Sequence, residues 1–75
     1  MFRLDDKVVA VVGAASGIGE AVLRAAASQG ARVVGLDVDE DGLDRVCGSL
    51  SGAEWRRVDI RDGKAVDETL RGIRD

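Results

Sequence analysis

Gly13, Gly17 and Gly19 stand in the stretch "VVGAASGIGEAV" with the spacing G-x-x-x-G-x-G. Glycines so spaced can bring a backbone up against phosphate. The first lets the chain leave a strand through a tight turn. The second removes a β-carbon that would hold a pyrophosphate off the backbone, and the third lets a helix pack close to a sheet. The N–H groups from Ser16 through Ile18 to Gly19 would then face the phosphates, helped by the positive end of a helix dipole. The Ser16 hydroxyl can add a donor. The plain alternative is that these glycines only turn the chain.

A second chemical candidate is "LDVDEDG", residues 36–42, where Asp37, Asp39, Glu40 and Asp41 crowd together before Gly42. Asp37, Asp39, Asp41 and Gly42 match the opening D-x-D-x-D-G of a calcium loop. That loop needs a bidentate glutamate at its twelfth position, and counting from Asp37 that position is Gly48. No helix precedes the stretch, and a helical apolar stripe runs through the would-be loop. The other reading uses one acid alone. Asp37 follows "RVVGL" and lies 18 residues after Gly19. A dinucleotide fold places its ribose acid about 20 residues beyond the glycines, at the end of the second strand. A carboxylate there accepts from both ribose hydroxyls and repels a 2′-phosphate, which carries about −1.5 to −2 charge by analogy with phosphoserine. Ser16 and Val38 hold the two positions where a basic residue would cancel that repulsion, so NAD is favoured over NADP. A plain solvated loop charge is the alternative for Asp37.

These residues need elements to hold them. "KVVAVVGA" contains five consecutive apolar residues, mostly valine, and reads as a strand buried on both faces. "GEAVLRAAASQG" reads as a helix with Ile18, Val22 and Ala25 or Ala26 on its apolar face and Gly30 as a left-handed cap. "ARVVGLD" is a second strand. "DEDGLDRVCGSL" is a second helix, with Leu43, Val46, Cys47 and Leu50 at i, i+3, i+4 and i+7. Asp39 is its expected N-cap, Glu40 and Asp41 suit the positive end of its dipole, and Asp41 can pair with Arg45. "SGAEWRRVDI" supplies a loop and an edge strand. "DGKAVDETLRGIRD" is a third helix, with Val66, Thr69, Leu70 and Ile73 on one face and Asp62 as its cap. The order β-α-β-α-β-α implies parallel βαβ units. Right-handed crossovers set the first two helices on one face, the first strand beside the second and the second beside the third.

Composition narrows the function. The chain has 75 residues, room for one small domain. It has no histidine, and Cys47 is the single cysteine, so no internal disulfide and no zinc site can form. A lone thiol and no signal peptide fit the cytoplasm. The longest apolar run, residues 8–12, is far short of the roughly 20 residues that cross a bilayer. Net charge is −3 with the two signs mixed and only two aromatics, which argues against nucleic acid as a partner. Trp55 reads as a cover for the sheet, Cys47 as a buried thiol, and Arg56 and Arg57 as solvating an edge strand.

With these residues in place, the chain resembles the N-terminal part of a short-chain dehydrogenase/reductase. The family's T-G-x-x-x-G-I-G stands here as "VGAASGIG", with Val12 in place of threonine and one turn-steadying hydroxyl lost. The segment after the third strand, D-V-T-D in the family, stands here as "DIRD". The resemblance implies a three-layer Rossmann-type α/β fold, of which residues 1–75 form the βαβαβα half. It also implies NAD as cofactor, Asp59 bonded to the adenine amine and Ile60 lining the adenine pocket; a strand-end turn is the plain alternative for Asp59. Cofactor contacts are therefore expected from Gly13, Ser16, Gly17, Ile18, Gly19, Asp37, Val38, Asp59 and Ile60. The family's asparagine motif, catalytic serine and Y-x-x-x-K pair have no counterpart here, and the chain contains no tyrosine. Binding of a dinucleotide without activity from this chain alone is the expectation. In the family a fourth strand pairs with the first; without it, "KVVAVV" becomes an open edge, inviting self-association or pairing with a missing C-terminal half. A non-catalytic βα module that associates through this edge is the competing reading.

Overall fold

A computed structural model describes residues 7–73. The element order is β1 (Val8–Val12), α1 (Gly17–Ser28), β2 (Arg32–Asp37), α2 (Glu40–Gly48), β3 (Glu54–Arg57) and α3 (Gly63–Ile73). The strands form one parallel sheet in the order β1-β2-β3. β1 pairs with β2 from Val8↔Arg32 to Val12↔Leu36, and β2 pairs with β3 from Val34↔Glu54 to Asp37↔Arg57. The alternating order expected from sequence is therefore the architecture: a Rossmann-type α/β sheet with helices on both faces. The last two residues of the expected third helix, 74 and 75, lie outside the described residues.

Alternation along β2 divides the core. Val33 faces α1 and α2, where Leu23, Ala26, Leu43, Val46 and Cys47 are buried with it. Val34 and Leu36 face the opposite way and pack with Val58, Val66, Leu70 and Ile73 under α3. A central strand buried on both faces is what a parallel sheet requires, and here that strand is β2. Among the described residues β1 is the open edge expected of it, but its valine run is not buried on both faces: Val8 and Val12 are 45% and 47% exposed. Both lie on the α3 side of the sheet.

The helix ends follow local chemistry. Ser16 caps α1, its Oγ accepting from Gly19 N at 3.1 Å. The helix thus begins two residues earlier than its alanine-rich stretch suggests. It ends at Ser28 with Gln29 as its C-cap, and Gly30 just beyond has a φ of 92°, the left-handed conformation expected of it. Asp39 caps α2 through Gly42 N, 3.0 Å from its Oδ1. Asp62 does the same for α3 through Ala65 N at 3.2 Å.

Two side-chain expectations fail for a packing reason. The buried face of α1 is Gly19, Leu23 and Ala26, whereas Ile18 is 83% and Val22 49% exposed. The close seat of Gly19 on the preceding turn rotates the helix one position from the stripe that hydrophobicity alone suggests. Arg45 does not pair with Asp41; it reaches across to Glu20 at 3.4 Å, while Arg24 holds the other Glu20 oxygen at 2.8 Å. These two guanidiniums, Arg24 first, draw the Glu20 carboxyl below its ordinary range.

Candidate functional site

The chain leaves β1 through Gly13, whose φ of 79° belongs to the left-handed region. The turn that follows is held from beneath by the end of β2. Gly13 N and Ala14 N both donate to Leu36 O, at 2.7 and 3.2 Å. Ala15 N donates to Asp37 Oδ2 at 3.0 Å. Ser16 N donates to Gly13 O at 3.0 Å, and the Ser16 hydroxyl donates to the same oxygen at 2.7 Å. Gly19 N is taken by Ser16 Oγ. Among the described residues, the N–H groups of Gly17 and Ile18 are left without a partner. They are the first two N–H groups of α1, at the positive end of its dipole.

The three glycines separate by what surrounds them. A β-carbon on Gly19 would overlap Gly13 O and sit 2.6 Å from Gly13 C and 3.0 Å from Ala14 Cα. Gly19 is therefore glycine because the helix rests on the turn itself, rather than on the sheet as its spacing suggests. A β-carbon on Gly17 would meet nothing within 4 Å. Nothing inside the chain calls for glycine there, and the bare backbone of the helix start opens to solvent.

Two further glycines support the turn, and sequence reasoning missed both. A β-carbon on Gly35, in mid-β2, would lie 2.9 Å from Ala14 Cβ, 3.1 Å from Leu23 Cδ1 and 3.2 Å from Cys47 Sγ. Gly35 thus lets the turn, α1 and α2 settle on the sheet together. One on Gly42 would lie 2.8 Å from Ala15 Cβ, so the first turn of α2 leans on the glycine turn. The signal for Gly35 was available, because a glycine inside a valine strand marks close approach of another segment.

Asp37 ends β2 half-exposed. Its Oδ2 takes Ala15 N, and its Oδ1 takes Asp39 N at 3.1 Å. One carboxylate thereby joins the β1–α1 turn to the β2–α2 loop. Asp39 is committed to its cap, and Glu40 and Asp41 lie in the first turn of α2. No group of three or more acids, cysteines or histidines able to hold a metal occurs among the described residues. The acids of "LDVDEDG" divide into one at a strand end and three at a helix start.

Across the sheet, Arg57 stands opposite Asp37 in register. It is a third position from which a cation can approach the acid, and neighbours in sequence could not reveal it. Asp59 lies just beyond β3. Its Oδ1 accepts from Arg61 N and Nε, at 3.0 and 3.1 Å, and its Oδ2 from the Arg61 guanidinium at 3.1 Å. That hydrogen-bonded Arg61, aided more weakly by the charge of Arg57, holds the Asp59 carboxyl below its usual range. Val38 and Ile60 are 50% and 43% exposed. Val38 follows β2 and Ile60 follows β3, so both lie at the C-terminal end of the sheet, as the turn residues Gly13–Gly19 do. That end is where ligands bind in open α/β sheets.

Trp55 packs part-buried on the α1/α2 core, a cover for the sheet as expected. Cys47 is buried, which pushes its thiol above the usual range, and its Sγ donates to Glu54 O at 3.5 Å. No helix among the described residues is long and apolar enough to cross a membrane.

The family model described as short chain dehydrogenase matches residues 7–75. The 2,3-dihydro-2,3-dihydroxybenzoate dehydrogenase of Bacillus subtilis is 42% identical over 69 residues, which is 87% of this chain and 26% of that protein. A short chain dehydrogenase/reductase from Burkholderia phymatum, solved in complex with NAD, superposes with a TM-score of 0.84 at 38% identity, over 96% of this chain and 27% of that one. The 3-ketoacyl-(acyl-carrier-protein) reductase of Brucella melitensis, solved with NADH, gives a TM-score of 0.82 at 36% identity, over 92% of this chain and 29% of that one. The chain spans between a quarter and a third of the length of these proteins. Sequence pattern, sheet order and glycine turn converge on one conclusion, that the chain belongs to the short-chain dehydrogenase family.

Proposed function

We propose that these residues bind the adenosine diphosphate portion of NAD as the nucleotide-binding segment of an NAD-dependent oxidoreductase. The unpartnered N–H pair of Gly17 and Ile18, beside a glycine with no internal reason to be one, carries this reading. Gly17 and Ile18 would donate to the pyrophosphate, while Gly13 and Gly19 shape the turn beneath it. Ser16 contributes by capping α1; its hydroxyl proton is committed to Gly13 O, so its service to phosphate is to hold the helix start in place. Asp37 would accept the ribose hydroxyls, Val38 and Ile60 would flank the adenine, and Asp59 would accept from its amine. The neighbours solved with NAD and NADH support the same cofactor class.

The cofactor supplies the hydride chemistry. The tyrosine that the family uses as acid and base has no counterpart in a chain without tyrosine. On this reading these residues bind and orient the dinucleotide. NAD is preferred because the Asp37 carboxylate repels a 2′-phosphate, with Arg57 the opposing charge across the sheet. Calorimetric titration tests this. Saturable NAD binding that Asp37→Ala weakens about tenfold to a hundredfold is the expected result, since hydrogen bonds to a charged group are worth about 1.5–3 kcal/mol. No binding at millimolar NAD, or tighter binding of NADP, would overturn it.

One observation favours a second reading. Among the described residues β1 has a strand partner on one side alone and exposes Val8 and Val12. An open apolar edge pairs readily with another strand, so a non-catalytic module that self-associates through β1 is the competing function. Sedimentation at micromolar concentration separates the two: a dispersed monomer that binds NAD excludes it.

A further inference from the structure

We infer that Asp37 is a positioning residue for the glycine turn as well as the ribose acceptor, so that recognition of ribose and recognition of pyrophosphate are coupled through one carboxylate. The inference rests on the dinucleotide reading above and adds to it a role that does not involve the sugar.

A carboxylate offers about four acceptor positions, two on each oxygen. The fold occupies one on each: Ala15 N–H on Oδ2 at 3.0 Å and Asp39 N–H on Oδ1 at 3.1 Å. Charge-assisted bonds of this kind are about twice as strong as neutral ones. They fix the plane of the carboxylate and leave one position per oxygen, the pattern that a vicinal diol matches. The same bonds fix the turn. Ala15 stands between Gly13–Ala14, pinned to Leu36 O, and Ser16, which caps α1. Its β-carbon rests against Gly42 at the start of α2. The Asp37–Ala15 bond is therefore the side-chain tie between the ribose position and the segment that aims the Gly17 and Ile18 N–H groups.

Two effects of removing Asp37 oppose each other. Loss of a negative charge near the turn favours any anion. Loss of the Ala15 tie loosens the turn and disfavours it. Inorganic pyrophosphate has no diol, so it reports on the second effect without the first role of the residue intervening.

The experiment uses the wild-type chain, Asp37→Ala and Asp37→Asn, the last keeping the size of the side chain should the alanine variant not fold. Amide hydrogen exchange without ligand comes first. Ala15 and Asp39 amides should exchange more slowly than those of Gly17 and Ile18 in the wild type. Asp37→Ala should expose both, and Asp37→Asn at least one. Pyrophosphate titration follows, and Asp37→Ala should weaken its binding about threefold or more, against the direction of charge, with Asp37→Asn changing it the same way. Wild-type Ala15 exchanging as fast as Gly17, pyrophosphate binding unchanged or tighter in the variants, or no pyrophosphate binding by the wild type would each overturn the coupling. A wild type that binds NAD, with variants that leave pyrophosphate untouched, refutes this inference and spares the dinucleotide reading. Weakened pyrophosphate binding without any NAD binding does the reverse.

Discussion

Alanine at position 17 and alanine at position 19 should have opposite effects on stability, although both replace a glycine of one motif. At Gly19 the new β-carbon would overlap Gly13 O and press within 2.6 Å of Gly13 C and 3.0 Å of Ala14 Cα. These are backbone atoms of a turn pinned by Leu36 O and Asp37, so no side-chain rotation relieves them. Overpacking of this kind costs about 1–3 kcal/mol. Alanine's better helix propensity returns about 0.5–1 kcal/mol; with backbone atoms as close as these the cost falls at the upper end of the overpacking range, leaving a net loss of about 2 kcal/mol. At Gly17 nothing lies within 4 Å, so the propensity gain stands alone, up to about 1 kcal/mol. Urea unfolding followed by circular dichroism reads both. With a slope of about 1 kcal/mol/M for a domain this small, Gly19→Ala should lower the midpoint by about 2 M and Gly17→Ala should leave it unchanged or raise it by up to about 1 M. Gly17→Ala should nevertheless bind NAD more weakly, because its methyl would stand where the proposed function brings the pyrophosphate. A Gly19→Ala variant as stable as wild type, or a Gly17→Ala variant that loses stability, would refute this division of labour.

Asp39→Ala should destabilise the fold by about 0.5–2 kcal/mol through loss of the α2 cap, and Asp39→Asn should retain most of that, both measured by chemical denaturation. Burial raises the Cys47 pKa, so the folded chain should react with a thiol reagent more slowly than the unfolded chain and with its pH–rate midpoint shifted upward; equal midpoints would contradict the burial. The same shift fixes the sign of its stability contribution. That contribution is present in full below the unfolded thiol's pKa, about 8.5, and is lost as pH rises through the folded value, which alkaline unfolding measures against a Cys47→Ala control.

Most of the fold was legible because its signals are local. The caps at Asp39 and Asp62, the left-handed Gly30 and the strand–turn–helix setting of the glycines all depend on a few consecutive residues. What escaped depends on distance. The valine run of β1 reads as a strand buried on both faces, yet burial is set by what packs on each face, and Val8 and Val12 are exposed. The exposed face of α1 follows from how closely Gly19 sits on Gly13, not from the spacing of Ile18 and Val22. Arg45 chose Glu20, 25 residues away in sequence, over Asp41 one turn away. The position of Asp37 could be read from spacing, but its bond to Ala15 spans 22 residues and required the fold. Likewise, Arg57 opposite Asp37 is a consequence of strand register alone.

Amide chemical-shift mapping during a titration with NAD tests the central claim most directly, because the claim names two N–H groups. Saturable shifts that are largest at Gly17 and Ile18, with smaller ones around Asp37, Val38 and Ile60, are the predicted result. Gly17 and Ile18 amides that stay still at millimolar NAD, or saturable shifts centred elsewhere on the chain, would contradict it.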